Sequence, residues 1–396
     1  MNRVVKAFIA ASLVLASSAL AQDTIRIGNW GPQSGPAAAW GTVTTAIEAY
    51  FDYINDQGGI NGTMLELESR DDGYDPARTV AAVRELIDRE NVFAFAGGVG
   101  TANGLAAMPL IQRAGIPWVG PATGAVEFAE QSDGIVYATF TNYFVESALM
   151  TRYAVEELGS SNIAIFYQND GYGLSGVAGM DEELQRQADA GNSVLAGDRV
   201  TYERGTTNMG VQALRLMGSG ADTVMLFSDP SAAAALLNEF QSLGFSPQIL
   251  ATVTLLDPSL LAHPVMQGAM FSTFLRLPSV LVGEGNGDPI ADRFYQEVIL
   301  AYAPEIAADP FRALGGIAFA QPLVVAMQAV ADAGDELTRE NVIAALQSID
   351  GYDSGLYHNL DFTQGFQGNN SVLLLQVTPQ GLRPVSDWLE YQETAD

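Results

Sequence analysis

No cysteine occurs in the 396 residues, so disulfides, thiol catalysis and cysteine-held metals are all excluded. Lysine is almost as scarce, since Lys6 is the only one. Its absence elsewhere rules out a P-loop lysine and a Schiff-base lysine. The two histidines, His263 and His358, stand far apart and show no H-E-x-x-H spacing. Gly98-x-Gly100-x-x-x-Gly104 has the wrong spacing for a dinucleotide fingerprint. No G-x-S-x-G elbow exists, because Ser175 sits in Gly173-Leu174-Ser175-Gly176-Val177. No nucleophile–base pair emerges, so no catalytic residue, metal or cofactor is assigned and the chain does not read as an enzyme.

Positive charge is the next scarcity. Beyond residue 21 there are 16 arginines against 46 acidic residues, a net charge of −30. Such a surface repels phosphate backbones, which excludes nucleic acid as a partner. It also suits a protein dissolved in a salty medium, where screening weakens self-repulsion. With 48% hydrophobic and 16% charged residues the chain is a packed globule, not a disordered one.

Arg3 and Lys6 precede the apolar run Ala7–Leu15, and Ala19-Leu20-Ala21 forms an A-x-A cleavage pattern. The pattern predicts a signal peptide over residues 1–21, cleaved after Ala21, and export to the periplasm. No later stretch reads as long and apolar enough to cross a membrane, so no direct membrane insertion is expected. The remaining length exceeds one typical core and predicts two domains.

The most informative stretch is residues 92–124. Val92–Ala96 is a short apolar run typical of a strand buried on both faces, and it enters Gly97, Gly98, Val99 and Gly100. Thr101 and Asn103 are candidate N-caps, followed by a helical stripe of Leu105, Met108, Leu110 and Ile111. A second strand, Ile116–Gly120, ends in Pro121-Ala122-Thr123-Gly124. Two neighbouring strands thus end in small, hydroxyl-bearing turns. Free N–H groups at the helix start after Gly100 suit a carboxylate or other anion, although ordinary βα punctuation explains the same residues.

Strand–helix alternation extends in both directions. Strands are predicted at Ile25–Gly28 and Met64–Ser69, with helices over 37–56 and from Pro76, where Asp75 is the N-cap. The plan restarts after Tyr143, with strands at Ile163–Tyr167, Ser193–Tyr202, Thr223–Phe227 and Gln248–Thr254. Gly171–Gly176 reads as a glycine-rich turn before a helix, Val177–Ala190. Gly268–Leu277 reads as a crossing strand, followed by helices Ile290–Ala303, Gly315–Ala333 and Arg339–Ser348. Two doubly wound, parallel αβ units follow from this order. Within them Asp71-Asp72-Gly73-Tyr74-Asp75 resembles a calcium loop, but its glycine is misplaced and a strand-end turn explains the acids better. Trp40 and Tyr172 stand beside strand-end turns and suit either core or ligand. Asp229 ends a buried strand, either as a carboxylate facing a ligand or as the cap of the helix starting at Pro230.

Taken in order, Ser34-Gly35-Pro36, Trp40-Gly41, Gly58-Gly59-Ile60-Asn61-Gly62, Asp71-Asp72, Asp75-Pro76, Gly115-Ile116-Pro117, Pro121-Ala122-Thr123 and Asp170-Gly171-Tyr172-Gly173 carry a family likeness. The chain resembles the type I periplasmic solute-binding proteins of ABC importers, in the branched-chain amino acid and amide class. That resemblance implies two αβ lobes joined by three hinge strands and closing on a small solute. It implies an N-terminal lobe of 22–141 plus about 276–350, and a C-terminal lobe of 142–275 plus about 351–396. It further implies an ABC permease as partner and a monomer as the working form. The ligand carboxylate would lie in the Val99-Gly100-Thr101 turn, on the Thr101 hydroxyl. Ala122 and either Thr123 or Gly124 would supply a carbonyl and a hydroxyl, with Trp40 and Tyr172 against the solute. The family's usual acid for an ammonium is missing, because Ala251-Thr252-Val253-Thr254 occupies its place. The ammonium would then fall to Asp229, or the ligand would be an amine-free aromatic or keto acid, or an amide. A periplasmic sensor reporting to a receptor is the alternative role.

Overall fold

The computed structural model describes residues 23–391, so the predicted signal peptide lies outside the described residues. The chain opens with β1 (Thr24–Gly31), α1 (Gly41–Asp56), β2 (Met64–Asp71), α2 (Pro76–Asp88), β3 (Ala94–Ala96), α3 (Thr101–Ala114), β4 (Trp118–Val119) and β5 (Val136–Tyr137). These strands make one all-parallel sheet in the order β2-β1-β3-β4-β5. α1 buries Val43, Ala46, Ile47, Tyr50 and Phe51, the 3.6-residue stripe of its sequence. α2 starts as predicted: Asp75 accepts from the N–H groups of Ala77 and Arg78, with Pro76 in the first turn.

The second unit begins with α4 (Tyr143–Glu156), β6 (Asn162–Gln168), α5 (Gly171–Asp189) and β7 (Leu195–Tyr202). It continues through α6 (Gly210–Gly218), β8 (Thr223–Phe227), α7 (Pro230–Leu243), β9 (Gln248–Ala251) and β10 (Met270–Thr273). α8 (Pro310–Asp332) and α9 (Arg339–Gln347) then return to the first unit, α8 packing on α1. The tail adds β11 (Ser371–Thr378) and β12 (Gly381–Pro384) to the second sheet, whose order is β7-β6-β8-β9-β10-β11-β12. β6 to β10 are parallel and the last two strands run antiparallel.

Three segments connect the lobes. Ala138 bridges Gln367, and Leu275 bridges Tyr357. The side chains of Gln367 and Asn369 donate to the Phe140 carbonyl and the Thr141 hydroxyl. An aromatic cluster fills the junction, with Phe140 and Phe274 rings 4.3 Å apart and Phe274 stacked on Tyr357 at 6.2 Å.

Several boundaries differ from the sequence reading. Gly171–Gly176 is not a turn but the start of α5, because Asp170 accepts from the N–H groups of Tyr172 and Gly173 and caps it. The glycines there serve close packing: a Cβ on Gly173 would lie 2.1 Å from the Gln168 carbonyl oxygen, and one on Gly176 2.6 Å from the Phe227 ring. The predicted strand Gln248–Thr254 stops at Ala251, and Val253–Leu255 is a 3₁₀ turn. α8 starts at Pro310, earlier than Gly315, because Asp309 accepts from Arg312 N–H as its cap. By length and composition α8 is also apolar enough to cross a membrane, contrary to the sequence reading. Most of it is buried inside the protein, which makes it the core helix of the first lobe.

Candidate ligand-binding site

In each sheet the chain leaves the first strand for one neighbour and then crosses to the other side. The reversals fall between β1 and β3 and between β6 and β8. Open αβ sheets hold ligands outside the carboxyl ends of strands at such points. Here the two crevices face each other across one narrow cavity lined from both lobes.

The first lobe contributes Trp40, Tyr74, Val99, Gly100, Thr101 and Ala122. The turn after β3 is held from behind, by Trp118 Nε1 donating to the Gly97 carbonyl at 2.6 Å and Asn29 donating to the Ala96 carbonyl at 2.7 Å. Gly100, at φ 104°, lets the Tyr74 ring lie against the backbone, since a Cβ there would sit 2.8 Å from its Cε2. Thr101 is the first residue of α3, whose first-turn N–H groups have no intrahelical acceptor. Its hydroxyl is 2.6 Å from that of Thr123, which stands behind it and does not line the cavity. Gly124 does not line the cavity either. Its carbonyl accepts from Tyr143 N–H, and a Cβ would lie 2.1 Å from the Thr141 carbonyl oxygen, so the hinge needs a glycine there.

The second lobe contributes Tyr143, Tyr172, Ser228, Asp229 and Thr254. Tyr172 is locked by Thr252 and Thr254, whose hydroxyls lie 3.0 and 2.7 Å from its own. Those threonines are fixed in turn by Glu146, which accepts from Val253 N–H at 2.8 Å and from the Ser272 hydroxyl. Burial pushes the Glu146 carboxyl up to about 7. Asp229 is the cap of α7 and also lines the cavity. One oxygen caps α7 through Ala232 N–H at 2.9 Å, the other accepts from Tyr202 O–H at 2.8 Å, and the residue lines the cavity. Burial raises its carboxyl above the ordinary range, against the pull of Ala232 N–H and Tyr202 O–H. The Ser228 hydroxyl is buried and, among the described residues, has no hydrogen-bond partner. Below Trp40 the fully buried Arg312 has its guanidinium 5.2 Å from the indole and pairs with Asp257 and Asp309.

Asp71 and Asp72 accept from Gly73 N–H and Tyr74 N–H, so this acidic run is a strand-end turn. Sequence reasoning missed Tyr74, Tyr143, Ser228 and Thr254. Ser228 and Tyr74 carried a usable signal, since each sits in a strand-end turn already singled out; Tyr143 opens a helix that the periodicity did not reveal.

A model of the periplasmic binding protein family matches residues 24–381. The chain belongs to that family. Among curated relatives of this periplasmic binding protein, the Leu/Ile/Val-binding protein homolog 7 of Brucella suis is 28% identical over 248 residues. That match covers 60% of each chain, so the protein spans about three fifths of the length of the curated relatives it matches. A substrate-binding periplasmic protein from Ralstonia solanacearum is 28% identical with a TM-score of 0.81, covering 91% of this chain and all of that one. A Thermus thermophilus branched-chain amino acid ABC transporter protein with bound valine shares the fold at 19% identity and a TM-score of 0.82, covering 93% and 97%. All three are named for binding or transport.

Proposed function

We propose that this periplasmic binding protein captures a small α-amino acid with an apolar side chain between its lobes and presents it to an ABC permease, acting as a monomer. One observation carries the reading. The start of α3, with the Thr101 hydroxyl, and the Asp229 carboxylate belong to opposite lobes yet line the same cavity. A zwitterion would place its carboxylate at the helix start and its ammonium beside Asp229, with Ser228 as a second acceptor. Each end then favours the closed state, which is what ligand-driven closure requires. Trp40, Tyr74, Tyr143 and Tyr172 leave the remaining space to an apolar side chain.

A second reading is an amine-free aromatic or keto acid. It is favoured by the fact that both oxygens of Asp229 already accept hydrogen bonds within the protein. Calorimetry with L-leucine, L-phenylalanine, 4-methyl-2-oxopentanoate and 4-hydroxybenzoate separates the two. Binding of the amino acids with none of the keto acid supports the first reading, and the reverse pattern refutes it.

A further inference from the structure

Tyr74 forms part of the cavity wall and has a left-handed backbone, with φ 65°. For a bulky aromatic that conformation is strained and persists only where the surroundings impose it. Part of what holds it lies in its own lobe: Asp72, fully buried, accepts from Tyr74 N–H at 2.9 Å, from Thr79 and from Asn103. The rest comes from the other lobe. Arg204, just beyond β7, donates to the Tyr74 carbonyl at 3.1 Å and to Asn103 Oδ1 at 3.0 Å. Its guanidinium lies 4.3 Å from the Tyr74 ring centroid and is anchored at its base by Asp170, the cap of α5, at 2.6 Å. Arg204 does not itself line the cavity.

We propose that Arg204 is the positioning residue of closure: it reaches across the cleft, seizes the strained Tyr74 turn and holds that ring against Gly100 as a wall of the site. The flat, five-donor guanidinium suits this task, because one group must bond two carbonyl-type oxygens in the first lobe, stack on a ring and keep its carboxylate. An ammonium cannot do all four. Asn103 couples the arrangement to the start of α3, two residues beyond Thr101, so the turn that holds the ligand is also the turn that Arg204 grips.

The absence of cysteine allows a direct test without any solute. Ser231 Oγ donates to the Pro36 carbonyl across the cleft at 2.9 Å. In a Pro36→Cys/Ser231→Cys protein the two thiols come near each other when the lobes close, so a short, flexible bis-maleimide, which does not need disulfide geometry, cross-links them at a rate set by how often the lobes close. Adding Arg204→Gln should slow cross-linking about ten-fold or more, the loss expected for charge-assisted hydrogen bonds, while the melting temperature of the unlinked protein stays unchanged. Arg204→Lys should not restore the rate. Tyr74→Asn, which tolerates the left-handed backbone but lacks the ring, should slow it as well. An unchanged rate in Arg204→Gln overturns the proposal, as does full rescue by lysine. Should Arg204→Gln fail to fold, Tyr74→Asn decides alone, and an unchanged rate there overturns it.

Discussion

Asp229→Asn separates the role of the charge from the role of the shape. The amide oxygen can still accept from Ala232 N–H and cap α7. On the other side an N–H₂ group replaces the oxygen that accepts from Tyr202 O–H. Tyr202 can turn its proton to Gln168 Oε1, 3.2 Å away, and accept from the new amide while it still accepts from residue 229 N–H. The network reverses without leaving a buried group unpaired, so stability should change by only about 0.5–1.5 kcal/mol. Burial already disfavours the ionised carboxyl, and the substitution removes that cost as well. Binding behaves differently. An amino acid loses the negative partner of its ammonium inside a closed cavity, a loss of about 2–5 kcal/mol. An amine-free carboxylate loses a like charge and should bind equally or better. Calorimetry on wild type and variant, with L-leucine and 4-methyl-2-oxopentanoate, reads both arms. L-Leucine binding that is unchanged by the substitution refutes the assignment of the ammonium to Asp229.

Thr101→Ala should weaken a carboxylate ligand by about 1.5–3 kcal/mol by calorimetry, with a smaller cost in stability, because Thr123 keeps its contact with Ala125 N–H. Wild-type affinity would take Thr101 out of the site. Ser228→Ala removes a buried hydroxyl that has no hydrogen-bond partner among the described residues, so the melting temperature should hold or rise while affinity falls by about 1 kcal/mol; unchanged affinity would mean the hydroxyl does not meet the solute. Glu146 has a folded value raised from 4.5 to about 7, so the native state holds its proton longer than the unfolded chain does. Its contribution is therefore full below pH 4.5 and is lost as pH rises towards 7, by about 3 kcal/mol at most. Glu146→Gln should flatten that decline, and parallel denaturant curves for the two proteins between pH 4 and 8 would contradict it.

Much of this was readable from residue patterns because the relevant signals are local. Apolar runs ending in glycine or hydroxyl turns mark β3, β4 and β8, and Asp-Pro pairs mark the starts of α2 and α7. Thr101, Trp40, Ala122, Tyr172 and Asp229 follow from such turns and do come together. What could not be read depends on partners distant in the chain. Thr123 and Gly124 lie in the right turn, yet one hydroxyl is spent on Thr101 and the other residue is pressed against the hinge. The first glycines of α5 look like a loop until the Phe227 ring that packs on Gly176 is seen. α8 carries apolar residues on every side, so no period distinguishes a buried core helix from a membrane span.

The double duty of Asp229 has an evolutionary consequence. Aspartate, asparagine, serine and threonine all cap a helix well, but only the first carries a charge. At this position a lineage can exchange one capping residue for another and keep α7 intact, while the cavity passes from negative to neutral. On the role proposed for Asp229, a change in the charge of the accepted solute would require one codon, with the Tyr202 hydroxyl turning to suit.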